Sequence, residues 1–388
     1  MIEGIVELPL HEGHVPRWLA ELMKRLARAI IEVLVLEFGS DKVVERLSHP
    51  LWFQALNNII GMDWDSSGST TVTTAILRQV LANGDLGVMV LGGKGKRALN
   101  INEEISKVVE KLNLSSNKEE ELLRASRLIA KVDSTLLQDG YQLYHHSLIV
   151  SENGMWGVIQ QGMNVGRGLA RRYHWFSKSI ERYVREPHIG IAGCKESIVL
   201  NLTAREAEGA RKTILDLLNE NPKKTINLIA EANRILKRTI PLTIWISNAS
   251  ITVIDRSRYI IMYRPITISN RLINILKKVY EVKPLSLEEA LLIKGLGPSA
   301  MMALALVSDL IYNEPPSPKD PVNQPYDPFK YAYAFGGKDG VPYPVKREIM
   351  IEVITTLEEA IEKAKLNDKG RNIALRKLKK LATFYKVK

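Results

Sequence analysis

The chain has 388 residues, of which 45% are hydrophobic and 25% charged, a balance typical of globular proteins with two or three domains. It contains no apolar run of about 18 residues and begins with no secretory pattern, so composition argues against a membrane-spanning or exported protein. The single cysteine, Cys194, excludes an internal disulfide and a multi-cysteine metal site, which favours a cytoplasmic location.

The net charge of +11 is concentrated at the C-terminus. Residues 363–388 contain ten lysines and arginines, among them Arg376 and Lys380, against one acid, Asp368. Apolar residues recur at helical spacing between these charges, which predicts a C-terminal helix with a basic outer face. Such a face suits contact with the backbone of DNA or RNA, although a solvated terminal helix would show the same pattern.

The first third of the chain has the periodicity of a helix-rich N-terminal body. Helices are expected over 16–38, 48–60, 69–82, 103–112 and 118–137, and a short apolar strand over 86–91. Ser116, with Glu119 three residues later, is the expected N-cap of the last of these helices.

The middle of the chain carries a strong β-hairpin pattern. β-Rich runs over 141–150 and 155–161 flank Asn153 and Gly154, a pair that favours a two-residue turn. A turn of that length would place His146 opposite Gln161. Further strands are expected over 188–192, 197–202, 242–247 and 251–265, and helices over 203–219 and 224–238.

Residues 293–300 are the most informative stretch. Gly295 and Gly297 flank a single apolar residue, and Pro298 follows as a favourable first position for a helix. The preceding helix is expected to begin at a Ser286 cap. This pattern resembles a helix-hairpin-helix, whose backbone and following helix N-terminus bind phosphate, with Ser299 at the usual lysine position. An ordinary helix–turn–helix connection is the alternative.

Together these elements predict a mixed α+β fold. A helical N-terminal region with a short strand is expected over 1–135, and an α/β region containing the hairpin over 136–268. A helix-hairpin-helix segment, a proline-rich loop and the basic C-terminal helices are expected over 269–388.

The hairpin carries the densest group of chemically versatile side chains. The candidate catalytic residues are Asp139, His145, His146, Gln161 and His174. Asp139 and His146 could bind a divalent metal, Mg²⁺ or Mn²⁺, that orients water, while Arg171 and Arg172 hold a phosphate. The arrangement is analogous to restriction-type nuclease cores, but its second strand lacks their acid and lysine. The alternative is a buried polar network that orders the hairpin.

Weaker patterns occur in three loops. Asp63 and Asp65 precede a run of serines and threonines and could share a cation, or could form a cap and turn. Lys94 and Lys96 lie in one glycine-rich loop and Lys338 in another, where glycine permits close approach to a phosphate that lysine neutralises. Neither loop has the spacing of a nucleotide-binding motif.

Several of these segments also support a family resemblance. They are residues 8–11, 16–19, 63–68, 138–146, 170–175 and 336–344. With these motifs the chain resembles an uncharacterised, mainly archaeal family of unknown function, over nearly its whole length. The resemblance implies no particular mechanism.

The function predicted from these observations is nucleic-acid processing in DNA repair or recombination, by a metal-dependent nuclease. Its partner would be single-stranded, duplex or branched DNA, or RNA. One alternative is a monofunctional DNA glycosylase, with Asp320 at the spacing of that family's essential aspartate after the glycine turn. Another is a non-catalytic DNA-binding adaptor, which would bind without turnover.

Overall fold

The structure, a computed structural model, describes residues 8–10, 15–62, 66–239, 252–253, 261–323, 336–337 and 344–366. Its architecture is α+β, as the sequence predicts, with helices on both faces of one antiparallel sheet. In these segments, no helix combines the length and the apolar character needed to cross a lipid bilayer.

The described residues form thirteen α-helices. They are α1 (Arg17–Phe38), α2 (Ser40–Ser48), α3 (Pro50–Ile59), α4 (Ser67–Val80), α5 (Lys96–Leu99), α6 (Ile101–Lys111), α7 (Ser116–Lys131), α8 (Glu208–Asn219), α9 (Pro222–Thr239), α10 (Asn270–Val282), α11 (Leu287–Leu292), α12 (Pro298–Leu310) and α13 (Arg347–Leu366). A π-helical turn, Val132–Leu136, continues α7.

The strands in the same segments are mostly short outside the hairpin. They are β1 (Leu8–Pro9), β2 (Val88–Lys94), β3 (Leu137–Gln138), β4 (Gln142–Ser151), β5 (Trp156–Asn164), β6 (Leu169–Phe176), β7 (Gly190–Gly193), β8 (Leu200–Asn201), β9 (Thr252–Val253) and β10 (Ile261–Met262).

The main sheet has six antiparallel strands in the order β1-β6-β5-β4-β2, and β7 also pairs with β6. Two separate ladders join β3 to β8 and β9 to β10. Strands β4, β5 and β6 are consecutive in the sequence and are joined by short turns, so each lies next to the following one in the sheet.

Two hydrophobic clusters cover the two faces of the sheet. One contains residues of α1 to α4 and α13, for example Leu26 and Met350, packed on Ile149. The other contains residues of α6 to α12, for example Leu304, packed on Leu148. Each cluster includes residues from all three predicted regions of the chain, and the sheet lies between them.

The predicted helices agree with the structure best where end signals are strong. α1 begins directly after Pro16 and ends directly before Gly39, whose φ of +81° an L-residue rarely adopts. The sequence prediction missed α2 and the strand β6, and the cap of α7 is Ser115 rather than Ser116. The predicted strand over 242–247 lies outside the described residues.

The register of the hairpin differs from the prediction by one residue. The turn spans three residues, 152–154, because Ser151 N donates to Met155 O at 2.9 Å and Gly154 adopts a φ of +76°. His145 therefore lies opposite Gln161, and the predicted pairing of His146 with Gln161 is wrong. A one-residue shift reverses which side chains share a face.

Gly92 in β2 provides a test of how closely the strands pack. Its φ is +73°, and an added Cβ would overlap the backbone carbonyl oxygen of His146 on β4. Because a backbone atom cannot turn aside, we expect Gly92→Ala to lower the free energy of unfolding by about 2–4 kcal/mol, measured by urea denaturation.

Gly168→Ala is the matched control for this measurement. Gly168 has a similar φ of +66°, but an added Cβ would meet nothing within 4 Å. Its substitution should cost only backbone strain, about 1 kcal/mol. Equal losses in the two variants would show that the close approach to His146 contributes nothing.

Candidate functional site

The polar side chains of the hairpin are divided between the two faces of the main sheet. Along β4, His145 shares a face with Ile149, which packs toward α1 to α4. His146 shares the opposite face with Leu148, which packs toward α6 to α12. The candidate residues therefore form two groups rather than one.

The first group, the hydroxyl network, joins the first turns of α4 to the sheet and comprises Ser69, Thr70, Tyr144, Gln161 and Arg172. The Arg172 guanidinium donates to Thr70 Oγ1 at 2.7 Å and to Ser69 Oγ at 2.9 Å. Thr70 donates to Gln161 Oε1, and the Gln161 amide donates to the Tyr144 hydroxyl. This chain of hydrogen bonds fixes α4 against β4, β5 and β6.

Two histidines beside the hydroxyl network are held in neutral form. His145 Nε2 lies 3.2 Å from Thr74 Oγ1, and His174 Nδ1 lies 3.0 Å from the Ser48 carbonyl oxygen. The second ring nitrogen of each has no hydrogen-bond partner among the described residues. Burial lowers the pKa of His145 to about 3 and the pKa of His174 well below its ordinary value.

The second group contains a buried ion triad of Asp139, Arg171 and Asp320. The Arg171 guanidinium donates to Asp139 Oδ2 at 2.7 Å and to Asp320 Oδ2 at 2.6 Å. Tyr173 also donates to Asp139 Oδ2 at 2.7 Å. Burial alone would lower the pKa of Arg171, but the charges of the Asp139 and Asp320 carboxylates raise it above its ordinary value. The triad ties β6 to the segment after α12.

His146 lies on the same face as the triad but belongs to another set of hydrogen bonds. Its Nδ1 lies 2.9 Å from Gln160 Oε1, and its Nε2 lies 3.0 Å from Ser126 Oγ. Since Gln160 Oε1 can only accept, Nδ1 carries the proton and Nε2 accepts from Ser126. Burial lowers the pKa of His146, so the ring is neutral.

The structure thus separates the predicted catalytic residues. His145, Gln161 and His174 lie on one face of the sheet, and Asp139 and His146 on the other. Both oxygens of Asp139 and both nitrogens of His146 already have hydrogen-bond partners. A metal at these two residues would have to replace those bonds, so their geometry does not fit a metal site.

Metal binding elsewhere stays a prediction. Among the described residues, no group of three His, Cys, Asp or Glu side chains could hold a metal ion. The predicted ligands Asp63 and Asp65 lie outside the described residues.

The residues predicted to contact nucleic acid differ in accessibility. Lys94, the last residue of β2, and Lys96, the first residue of α5, are both exposed, and Lys94 Nζ is 5.8 Å from the centre of the Tyr144 ring. Arg171 and Arg172 are buried in the networks above, so a nucleic acid would not reach either guanidinium in this structure. Three more predicted contacts lie outside the described residues: Lys338, Arg376 and Lys380.

The glycine turn before α12 has the local structure that the sequence predicts. Ser286 caps α11 by accepting from Glu289 N at 3.2 Å, and α12 begins at Pro298. Gly295 has a φ of +111°, and an added Cβ would lie 3.0 Å from Ile275 Cδ1. The turn is therefore built around two glycine-specific features, a positive φ and close packing on α10.

A cavity of about 610 Å³, called here the turn cavity, opens beside this turn. Ser269 and Arg271 line it from the start of α10, and Gly297 and Ser299 line it from the start of α12. Arg264 adds a second exposed guanidinium. None of the described lining residues is acidic.

Several residues of these groups could not be found from the sequence. Arg264 and Arg271 belong to no recognisable sequence motif, and only the fold brings them to the glycine turn. Strand β6 was missed because both of its faces are buried, which removes the alternation of apolar and polar residues. Its run of aromatic residues, which includes Tyr173 and Trp175, was the available signal.

Fold and site define an α+β protein with polar networks buried on both faces of its sheet and a basic cavity at a glycine turn. The chain belongs to the family described as "Protein of unknown function (DUF763)", whose match covers residues 4–345. This confirms the resemblance to a family of unknown function. No curated protein and no solved structure matches the chain.

The buried histidines make stability depend on pH. Below pH 6.5 the unfolded chain takes up a proton on His145, whereas the folded chain does not until about pH 3. The free energy of unfolding therefore falls as pH decreases through this window, by about 1.4 kcal/mol per pH unit for one histidine. We expect His145→Gln to remove that part of the slope in urea denaturation between about pH 6 and pH 4.

His49→Gln is the control, because His49 is exposed. Because this change removes a histidine from the surface rather than from the core, it should alter the slope of unfolding free energy against pH less than His145→Gln does. A slope in His145→Gln equal to that of the unmodified protein would mean that His145 is protonated in the folded state.

The ion triad allows a test of a buried charge. Arg171→Met would leave Asp139 and Asp320 buried without their cation, and we expect the free energy of unfolding to fall by about 3–5 kcal/mol. Adding Asp139→Asn and Asp320→Asn should recover part of this loss, because no charge would remain buried. Arg182→Met, which removes an exposed pair at 3.9 Å from Glu208, should cost less than about 1 kcal/mol. Equal costs for the two single variants would contradict the importance of the triad.

Proposed function

We propose that this protein binds the sugar–phosphate backbone of nucleic acid at the turn cavity, in DNA repair or recombination. The observation that carries the proposal is the convergence of two helix N-termini and two arginines on one cavity, with no acid among its described lining residues. Each helix N-terminus presents unpaired N–H groups and the positive end of its dipole, which favour a phosphate.

The hydrogen bonds of the turn support this role. Its carbonyl groups are held by side chains: Leu296 O accepts from Lys131 Nζ at 2.7 Å, and Pro298 O accepts from Gln138 Nε2 at 3.0 Å. The first intrahelical bond of α12 runs from Met301 N to Gly297 O, at 3.0 Å. The N–H groups of Ser299 and Ala300 precede it and need no partner within the helix, so they are available to a ligand.

The two arginines supply the charge that the turn lacks at the position of Ser299. Arg264 and Arg271 are both exposed, so a backbone phosphate can reach them without disrupting internal structure. Contacts to phosphate carry no sequence information, so we expect binding without base preference.

A second candidate is metal-dependent cleavage of the bound strand. It is favoured by the hydroxyl network, which includes Ser69 and Thr70 of α4. These residues follow the predicted metal ligands Asp63 and Asp65 closely in the sequence. The glycosylase alternative has less support, because Asp320 is buried and bonded to Arg171.

Binding is tested with labelled single-stranded, duplex and branched DNA, and with RNA of the same length, by fluorescence anisotropy. Removing both arginines, in Arg264→Gln with Arg271→Gln, should weaken binding at least about tenfold and reduce the salt slope of log K by about 2 between about 50 and 200 mM salt. Arg182→Gln is the control, since that exposed side chain lies outside the turn cavity. A double variant that binds like this control would contradict the proposal.

Cleavage is tested separately on the same strands, with Mg²⁺, Mn²⁺ or EDTA. Metal-dependent fragments that disappear in Asp63→Asn with Asp65→Asn, while binding is kept, would support the nuclease. Salt-dependent binding without fragments under any metal would favour a non-catalytic adaptor.

A further inference from the structure

A second cavity, of about 340 Å³, lies beside β7 and the ladder of β3 and β8. It is distinct from the turn cavity: Asn201 of β8 lines this one, whereas Gln138 of β3 lines the turn cavity. In the ladder Gln138 pairs with Leu200 rather than Asn201, so Gln138 and Asn201 extend toward opposite faces. The two cavities therefore flank one ladder.

A carboxylate–imidazole pair forms part of this cavity. His188 lines it, and His188 Nε2 lies 2.5 Å from Asp133 Oδ1. The Asp133 side chain is completely buried, and that of His188 is 5% exposed. His188 also stacks edge to face on Trp175, with ring centres 4.5 Å apart. The imidazole is therefore fixed both by a hydrogen bond and by ring packing.

Asp133 is itself firmly held. Its second oxygen, Oδ2, accepts from Trp175 Nε1 at 2.9 Å and from Gln160 Nε2 at 2.5 Å. It belongs to the π-helical turn Val132–Leu136, and turns of this kind occur frequently at functional sites. These two donors and the His188 ring hold the carboxyl group in one orientation, with Oδ1 facing the imidazole.

This arrangement leaves the second nitrogen of His188 free for a ligand. Because the Nε2–H group donates to Asp133, Nδ1 is the acceptor nitrogen when the ring is neutral. Nδ1 has no hydrogen bond with any residue that the structure describes. A hydrogen-bond donor bound in the cavity could bond to Nδ1, and Asp133 would stabilise any positive charge that the ring gains.

The rest of the lining indicates the class of that donor. Asn201, Thr203 and Asn323 contribute amides and a hydroxyl, and Ile191 and Pro321 contribute apolar surface.

Two pairs of opposite charge stand around the cavity. Lys319 lies 3.1 Å from Glu206, and Arg205, which does not line the cavity, lies 3.4 Å from Glu186. The third acidic lining residue, Asp320, is paired with Arg171 at 2.6 Å. Because each acidic lining residue has a cationic partner, the lining favours an uncharged ligand over an ion.

We propose that this cavity is a binding site for an uncharged hydroxyl-bearing molecule of the size of a sugar or nucleoside, one hydroxyl of which donates to His188 Nδ1. When the proton moves onto the ring, one O–H bond breaks and one N–H bond forms, and the ligand oxygen becomes nucleophilic. The site does not depend on nucleic-acid binding at the turn cavity, since it uses other residues.

The test uses the full-length protein labelled with ¹⁵N on histidine. Ribose and adenosine are titrated separately while the His188 imidazole nitrogens are followed by NMR. We expect a saturable shift of His188 Nδ1 with at least one probe, because a hydrogen bond to an acceptor nitrogen changes its shielding. Binding measured by calorimetry should weaken about tenfold in His188→Gln, which keeps an N–H donor for Asp133 but displaces the ring acceptor.

His49→Gln is the control variant, and adenosine monophosphate and putrescine are the charged comparison ligands. Unchanged affinity in His188→Gln, or binding without a shift of His188 Nδ1, would overturn the assignment of the site. Tighter binding of either charged molecule, or no response to ribose and adenosine, would overturn the assignment of the ligand class. The wild-type NMR measurement decides the matter even if His188→Gln folds poorly.

Discussion

Because the main sheet is buried on both faces, the charged groups on its strands must find partners inside the protein. Arg171 and Arg172, neighbours on β6, meet this constraint in opposite ways. One is neutralised by two carboxylates, and the other is held by hydroxyl and amide oxygens. The helices on each side are positioned by these bonds as well as by apolar packing. The polar networks therefore specify which helix faces which strand.

The sequence was sufficient for elements whose ends carry local signals. The Ser286 cap and the start of α12 at Pro298 follow from short-range geometry, and both are confirmed. Pairing across the sheet was less predictable. The turn ending at Gly154 has three residues instead of two, so the pairing of β4 with β5 differs from the prediction by one residue. Strand β6 lacks the alternation of apolar and polar residues by which half-buried strands are recognised. Both errors concern contacts between distant residues, which local patterns do not determine.

The candidate sites show the same division. The glycine turn was evident in the sequence, because glycine is needed where φ is positive and packing is close. Its arginines, Arg264 and Arg271, come from elsewhere and meet it only in the folded chain. The sequence suggested a catalytic role for the histidines of the hairpin, but in the structure they are neutral, hydrogen-bonded residues of the core. His188, which was not singled out, lines a cavity.

The π-helical turn Val132–Leu136 sets the direction in which the side chains between α7 and β3 point. A π-turn holds one residue more than an α-turn of the same height, and each residue of an α-helix turns the chain by about 100°. Deleting one residue there would restore a regular helix and rotate what precedes it relative to the ladder of β3 and β8. Asp133 would then no longer point at His188 while Leu137 kept its partner Asn201. The extra residue of the π-turn therefore lets the chain keep both the contact of Asp133 with His188 and the pairing of Leu137 with Asn201.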